Sequence, residues 1–225
     1  MNGPYAIVGY GVVGRAMHAL MKDAVLYDTA DGIPSDRHAV NSCEAPFVCV
    51  PTPSGADGSA DVSCVEEVVS WLRTPLIVLR STVPPGTTRR LAAEYGKRIV
   101  FQPEYLGETH CHPYADLSAR TFVVLGGERQ DTEMLADIYS QFYHSSVRFC
   151  FTDATTAELA KYMENCYFAV KVLFCHEFRR LATTFSVSYN ELRELWLADS
   201  RMSRSPAPRS RLLHRPSRRR RPRAA

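Results

Sequence analysis

The chain has 225 residues, 45% of them hydrophobic and 23% charged, a balance that suits a soluble globular protein rather than a disordered or fibrous one. Its formal charge of +3 hides two populations, because ten Arg and no Asp or Glu lie from Arg201 onward, leaving 17 basic side chains against 24 acidic ones in residues 1–200. That acidic body excludes a built-in nucleic-acid surface, and no apolar run approaches the length of a membrane span.

In chain order, YAIVG (5–9) is a short apolar run that ends in glycine, GRAMHALMKD has helical spacing, and AVLYD is a second apolar run closed by Asp28. Further strand-like runs are APFVCVP (45–51), PLIVLRST (75–82), RIVFQP (98–103), TFVVLGG (121–127) and SVRFCF (146–151). Helical stretches lie between several of them, around SCVEEVVSWL, GTTRRLAAEYG and TEMLADIYSQFY. Alternating strands and helices predict an α/β fold, a doubly wound and mostly parallel sheet with helices on both faces. From Asp153 about thirty residues run without Gly or Pro, with Thr152 or Asp153 placed to cap a long helix. Apolar residues lie nearly all round its middle, which predicts that it is buried. Three segments are expected: residues 1–151 as an abbreviated cofactor domain, 152–200 as the long helix and the start of a middle domain, and 201–225 as a disordered Arg/Pro-rich tail.

Residues 9–14 read GYGVVG, a G-x-G-x-x-G pattern between a predicted strand and a predicted helix. In a Rossmann-like unit Gly9 permits the turn, Gly11 admits a pyrophosphate to the backbone, and Gly14 lets helix and strand pack closely. The helix N-terminus at Val13–Arg15 offers free N–H groups to phosphate, and Val12 and Val13 are expected at the cofactor. Asp28 is placed to accept hydrogen bonds from the adenosine ribose, and its charge opposes a 2′-phosphate, which predicts NAD as cofactor.

Four further stretches follow in order: VPTPSGADGSADVS (50–63), RSTVPPGTT (80–88), PEYLGE (103–108) and AELAKYMENCYFAVKVLFCHE (157–177). Together with the glycine turn they closely resemble the UDP-glucose/GDP-mannose dehydrogenase family over roughly residues 5–204, and PEYLGE looks nearer the UDP-glucose type. The resemblance implies NAD-dependent oxidation of a nucleotide sugar, UDP-glucose to UDP-glucuronate, by a cytoplasmic enzyme that pairs as a homodimer through the central helix. It implies that Pro51, Thr52, Ser81 and Thr82 line the cofactor site. It also implies that Lys161 and Asn165, four residues apart on one helical face, stabilise charge on the sugar C6 oxygen. Glu104 matches the glutamate that acts with water in thioester hydrolysis, Thr82 the threonine that places that water, and Glu108 a second glutamate near the sugar. The competing reading of Lys161 is an ion pair with Glu158 on a solvated face, and that of Glu104 and Glu108 is a pair of exposed loop acids.

Two departures stand out. Only seventeen residues separate Asp28 from Pro46, where the family carries another helix and strand, and His176 stands where the family has Asn. The family's nucleophilic cysteine lies in a G-x-C-F-P-K-D segment, and this sequence has none. LADSRMSRS (197–205) resembles the approach to it, but PAPRSRLLHRPSRRRRPRAA follows. That switch predicts a frameshifted or truncated dehydrogenase that binds NAD without completing the four-electron oxidation. The alternative is a non-catalytic module for NAD binding or subunit pairing. The Arg-rich tail predicts at most non-specific attraction to nucleic acid, since it has no aromatic residues. Seven scattered cysteines without C-x-x-C spacing predict reduced thiols, and His110-Cys111-His112 lacks a second cluster to complete a metal site.

Overall fold

A computed structural model describes residues 5–106, 116–199 and 202. The expectations for Glu108, for His110-Cys111-His112 and for the Arg-rich tail therefore fall outside the described residues. The strands are β1 (Tyr5–Val8), β2 (Val25–Tyr27), β3 (Ala45–Val48), β4 (Ile77–Leu79), β5 (Ile99–Phe101), β6 (Phe122–Gly126) and β7 (Arg148–Thr152). The helices are α1 (Val12–Leu20), α2 (Arg37–Asn41), α3 (Ser63–Trp71), α4 (Thr87–Tyr95), α5 (Arg129–Tyr139), α6 (Ala154–Thr184) and α7 (Tyr189–Leu197). Each predicted strand run yields one of the strands, and β-branched and aromatic residues dominate them.

The seven strands form one sheet in the order β2-β1-β3-β4-β5-β6-β7, all neighbours parallel except β5 and β6. Alternate residues feed opposite faces, as the two-residue period of a strand requires. Tyr5, Ile7, Phe47, Val78 and Val100 pack with Met17, Leu135 and Tyr139 on one side. Ala6, Val8, Val48, Ile77 and Leu79 pack with Val65, Val69 and Leu91 on the other. The order turns around β1, so that β2 and β3 flank it on opposite sides and their connections leave on opposite faces. A crevice opens at the carboxyl ends of such strands.

Strand β2 is the edge of the sheet, and only the five-residue α2 stands between it and β3. Asp36 starts that helix by accepting hydrogen bonds from the N–H groups of His38 and Ala39 at 2.8 and 3.2 Å. Helix α4 ends on Gly96, whose φ of 61° is the left-handed C-terminal stop that glycine supplies cheaply.

The chain divides into two compact units, Met1–Cys166 and Tyr167–Ala225, with α6 contributing to both. In the first unit, Asp153 caps α6 by accepting from the Thr156 N–H at 2.9 Å and from its hydroxyl at 2.5 Å. The first turn of α6 lies so close to β6 that a Cβ on Gly126 would stand 2.4 Å from that of Ala157. In the second unit, α7 packs on α6 through Phe174 and Trp196, ring centroids 5.7 Å apart. Ser188 opens α7 by accepting from the Glu191 N–H.

The middle of α6 departs from expectation. Tyr167, Val170 and Leu173 are 60%, 62% and 64% exposed, where an all-round apolar helix predicts burial. The composition expresses a need for cover, and the described residues meet it only in part.

Candidate functional site

The three glycines of the turn have different physical reasons to be glycine. Gly9 has φ of 94°, and a Cβ there would meet the Cys49 carbonyl oxygen at 2.7 Å. A Cβ on Gly14 would stand 1.9 Å from the Gly9 carbonyl oxygen. Both positions are closed by the protein's own backbone. A Cβ on Gly11 meets nothing within 4 Å, and its φ of −72° suits any residue. The space beside Gly11 is therefore open to a ligand that approaches the backbone.

Helix α1 starts at that point. No side chain caps it and its first turn holds no acidic residue, so the positive end of its dipole is left for an incoming anion. Val12 is half exposed at the helix start, and Val13 lies beside it partly buried.

Asp28 follows β2 and faces the same turn. Its Oδ2 accepts the Tyr10 N–H at 2.5 Å and its Oδ1 the Ala30 N–H at 3.0 Å. The Tyr10 N–H above all holds this carboxyl below the usual aspartate value, against a smaller opposing effect of burial. The group is a carboxylate at neutral pH. A cleft of about 480 Å³ opens beside it, lined by Gly9, Asp28, Pro51, Ser63, Cys64 and Glu67 among others. Gly9, Asp28 and Pro51 follow from the sequence motifs, whereas Cys64 and Glu67 do not. Their signal is helical spacing, since residues three apart near the start of α3 share one face.

The second motif loop closes against the first through hydroxyl groups. Thr52 donates to the Thr82 carbonyl at 2.8 Å, and Ser81 donates to the Val50 carbonyl at 2.6 Å. These bonds fix the loops after β3 and β4 side by side. The Thr52 and Ser81 hydroxyl protons are thus spent on backbone, and Thr82 is partly buried.

Glu104 is not an exposed loop acid. It is buried just after β5, and its carboxylate is paired with the guanidinium groups of Arg80 and Arg120, themselves buried. Its Oε1 also accepts the N–H groups of Tyr105 and Leu106, both at 2.6 Å. Behind it Tyr139 donates to Gln102 at 2.6 Å and stands 3.4 Å from Arg80. A carboxylate held by two guanidinium groups and two N–H groups is a firm anchor for the segment after β5.

Lys161 is also buried, and Glu158 is not its partner. Its ammonium lies 3.2 Å from Glu164 and 4.7 Å from the centre of the Tyr105 ring. The Tyr105 hydroxyl is pushed up to about 12, by burial first and then by the negative charge of Glu164. The fold thus brings Lys161 to the segment that carries Glu104. Asn165 is exposed one turn further along α6.

No group of acidic, His or Cys residues among the described residues is arranged to hold a metal ion. The six described cysteines form no disulfide with one another. Burial pushes the Cys49 thiol up to about 11, which suits a packing residue rather than a nucleophile.

Comparison with known proteins adds two family matches. Residues 12–143 match the NAD binding domain of the UDP-glucose/GDP-mannose dehydrogenase family, and residues 155–210 match the central domain of that family. The chain is 30% identical over 173 residues to a UDP-glucose 6-dehydrogenase of Rickettsia typhi, covering 72% of this chain and 39% of that protein. It is 25% identical over 214 residues to a UDP-N-acetyl-D-mannosamine dehydrogenase of Methanococcus maripaludis, covering 83% of this chain and 48% of that protein. Among solved structures it is similar to a UDP-glucose dehydrogenase of Pyrobaculum islandicum, with a TM-score of 0.73 at 26% identity, covering 88% of this chain and 57% of that one. The chain thus spans less than half the length of these two curated relatives.

Proposed function

The chain belongs to the UDP-glucose/GDP-mannose dehydrogenase family, and on that premise we propose that it binds NAD across the glycine turn and the cleft beside Asp28. The observation that carries this reading is the contrast among the glycines. Gly9 and Gly14 are walled in by protein backbone, while Gly11 alone is small without an internal reason. An uncapped helix start and an ionised Asp28 stand beside it, which suits a pyrophosphate and a ribose respectively. Bound NAD would supply a hydride acceptor.

The substrate we infer is a nucleotide sugar, with UDP-glucose favoured by the PEYLGE segment and UDP-N-acetylmannosamine as the rival. Lys161, pre-placed over Tyr105, and Asn165 on the same face of α6 would stabilise negative charge on the sugar C6 oxygen during its oxidation. Thr82, Glu104 and Glu108 would order the surrounding water and sugar hydroxyls. The ion pairs at Glu104 favour a positioning role over that of a free base. The sequence holds no G-x-C-F-P-K-D segment, so a cysteine-bound thioester has no evident nucleophile in this chain. We place the chain in the cytoplasm, where thiols such as Cys49 and Cys64 stay reduced.

Titration calorimetry with NAD and UDP-glucose tests the reading. We expect saturable NAD binding and no sustained formation of UDP-glucuronate by this chain alone. Absence of NAD binding would remove the cofactor assignment, and robust turnover would remove the partial-reaction assignment.

A second reading is favoured by the exposed apolar side chains of α6, among them Tyr167, Val170, Leu173 and Leu181. A second copy of the chain covering that helix would bury them, making the chain a subunit-pairing module that carries a cofactor site.

A further inference from the structure

The cleft beside Asp28 contains a second carboxylate. Glu67, on α3, lines it together with Asp28, and no Lys or Arg is among the described residues that do. A guanidinium nevertheless stands at its rim. Arg37, the first residue of α2, donates from Nε to the Tyr27 hydroxyl at 3.2 Å, pairs through Nη2 with Glu67, and lies with its Cζ 4.8 Å over the Trp71 ring. Tyr27 and Glu67 both line the cleft, so two of the three contacts that hold Arg37 come from its wall. The Arg37 and Glu67 side chains are 51% and 55% exposed, an arrangement that water and a competing anion can reach.

A cation of the kind that accommodates an adenosine 2′-phosphate is therefore present next to the site and is occupied by a carboxylate of the site itself. We propose that Glu67 is a coenzyme-specificity residue, which holds Arg37 in its rim position and, together with Asp28, sets the preference for NAD over NADP. This rests on the NAD reading above. The short connection between β2 and β3 is what brings Arg37 here, since α2 is the only helix between those strands. With Glu67 removed, Arg37 becomes free to meet a 2′-phosphate.

The test is the ratio of NADP to NAD affinity, read by calorimetry on the full chain. Glu67→Ala is expected to raise the ratio of NADP to NAD affinity about threefold to tenfold, the range set by an exposed charge contact. The same substitution in an Asp28→Asn background should give a larger gain, and adding Arg37→Ala should cancel it. An unchanged ratio in Glu67→Ala would overturn the proposal. So would a gain that survives Arg37→Ala, because the latch would then be irrelevant. If Asp28→Asn weakens folding, the Glu67→Ala and Glu67→Ala/Arg37→Ala pair alone decides the matter, both positions being exposed. Wild-type protein that binds neither coenzyme would instead remove the NAD reading and this inference with it.

Discussion

The carboxylate of Glu158 accepts the backbone N–H of Thr88 at 2.8 Å, seventy residues away in the chain. Its other oxygen accepts the Gly86 N–H at 2.5 Å, so one fully buried side chain of α6 satisfies the start of α4. The helix after the sheet is thereby tied to the loop that carries Ser81 and Thr82. Replacing Glu158 with Ala leaves the buried Thr88 N–H and the partly buried Gly86 N–H without their acceptor and should cost about 1–3 kcal/mol, measured by urea unfolding. Glu158→Gln keeps one acceptor and should cost less.

The glycine turn gives opposite expectations at adjacent positions. Gly14→Ala drives a Cβ into the Gly9 carbonyl and should lower the melting temperature strongly. Gly11→Ala should leave melting nearly unchanged while weakening NAD binding tenfold or more, about 1.4 kcal/mol or above. Thermal melts and calorimetry on the two variants separate the structural glycine from the ligand-facing one.

Asp28 should leave a signature in acid. Its folded-state value lies below the ordinary 3.8, so its contribution to stability is fully present above that value and is lost as pH falls through the lowered one. The difference in melting temperature between wild type and Asp28→Asn should be constant near neutrality and should shrink only below about pH 4. A difference that vanishes already between pH 5 and 7 would contradict the assignment.

The buried Arg80–Glu104–Arg120 cluster predicts an asymmetric response. Glu104→Gln removes the carboxylate shared by two buried guanidinium groups and should destabilise the chain by about 3–5 kcal/mol. Loss of stability by denaturant titration would mark Glu104 as an anchor for this end of the sheet.

Sedimentation addresses the exposed helix. Phe168 and Leu173 are 49% and 64% exposed on α6. If a second copy covers them, the wild-type chain sediments as a dimer at micromolar concentration and Leu173→Glu as a monomer with unchanged helix content. A monomeric wild type would remove the pairing assignment.

Much of this was legible in the residues. The strand runs at 45–51, 75–82 and 98–103 became β3, β4 and β5 because short β-branched segments bounded by Pro, Gly and Ser have few other uses. GYGVVG and Asp28 were legible for the same reason, each residue type answering a local requirement of a turn. Glu67, Cys64 and Arg37 were not, since nothing local distinguishes them from surface residues of helices. Their meaning comes from α3 and α2 meeting across the cleft. Glu158 was read as a partner for its own helix, and its real partners are Gly86 and Thr88 at the start of α4.

By itself, then, the sequence determined the order of elements, the family and the identity of the glycine turn, because periodicity, backbone sterics and motif order are properties of neighbouring residues. Tertiary structure decided which charges are spent and which are available. It committed Glu104 to two arginines, set Lys161 over Tyr105, gave Glu158 to α4, and left Gly11 facing open space. Those outcomes depend on distances between segments far apart in the chain, and the energies of charges and hydrogen bonds depend on such distances and on burial.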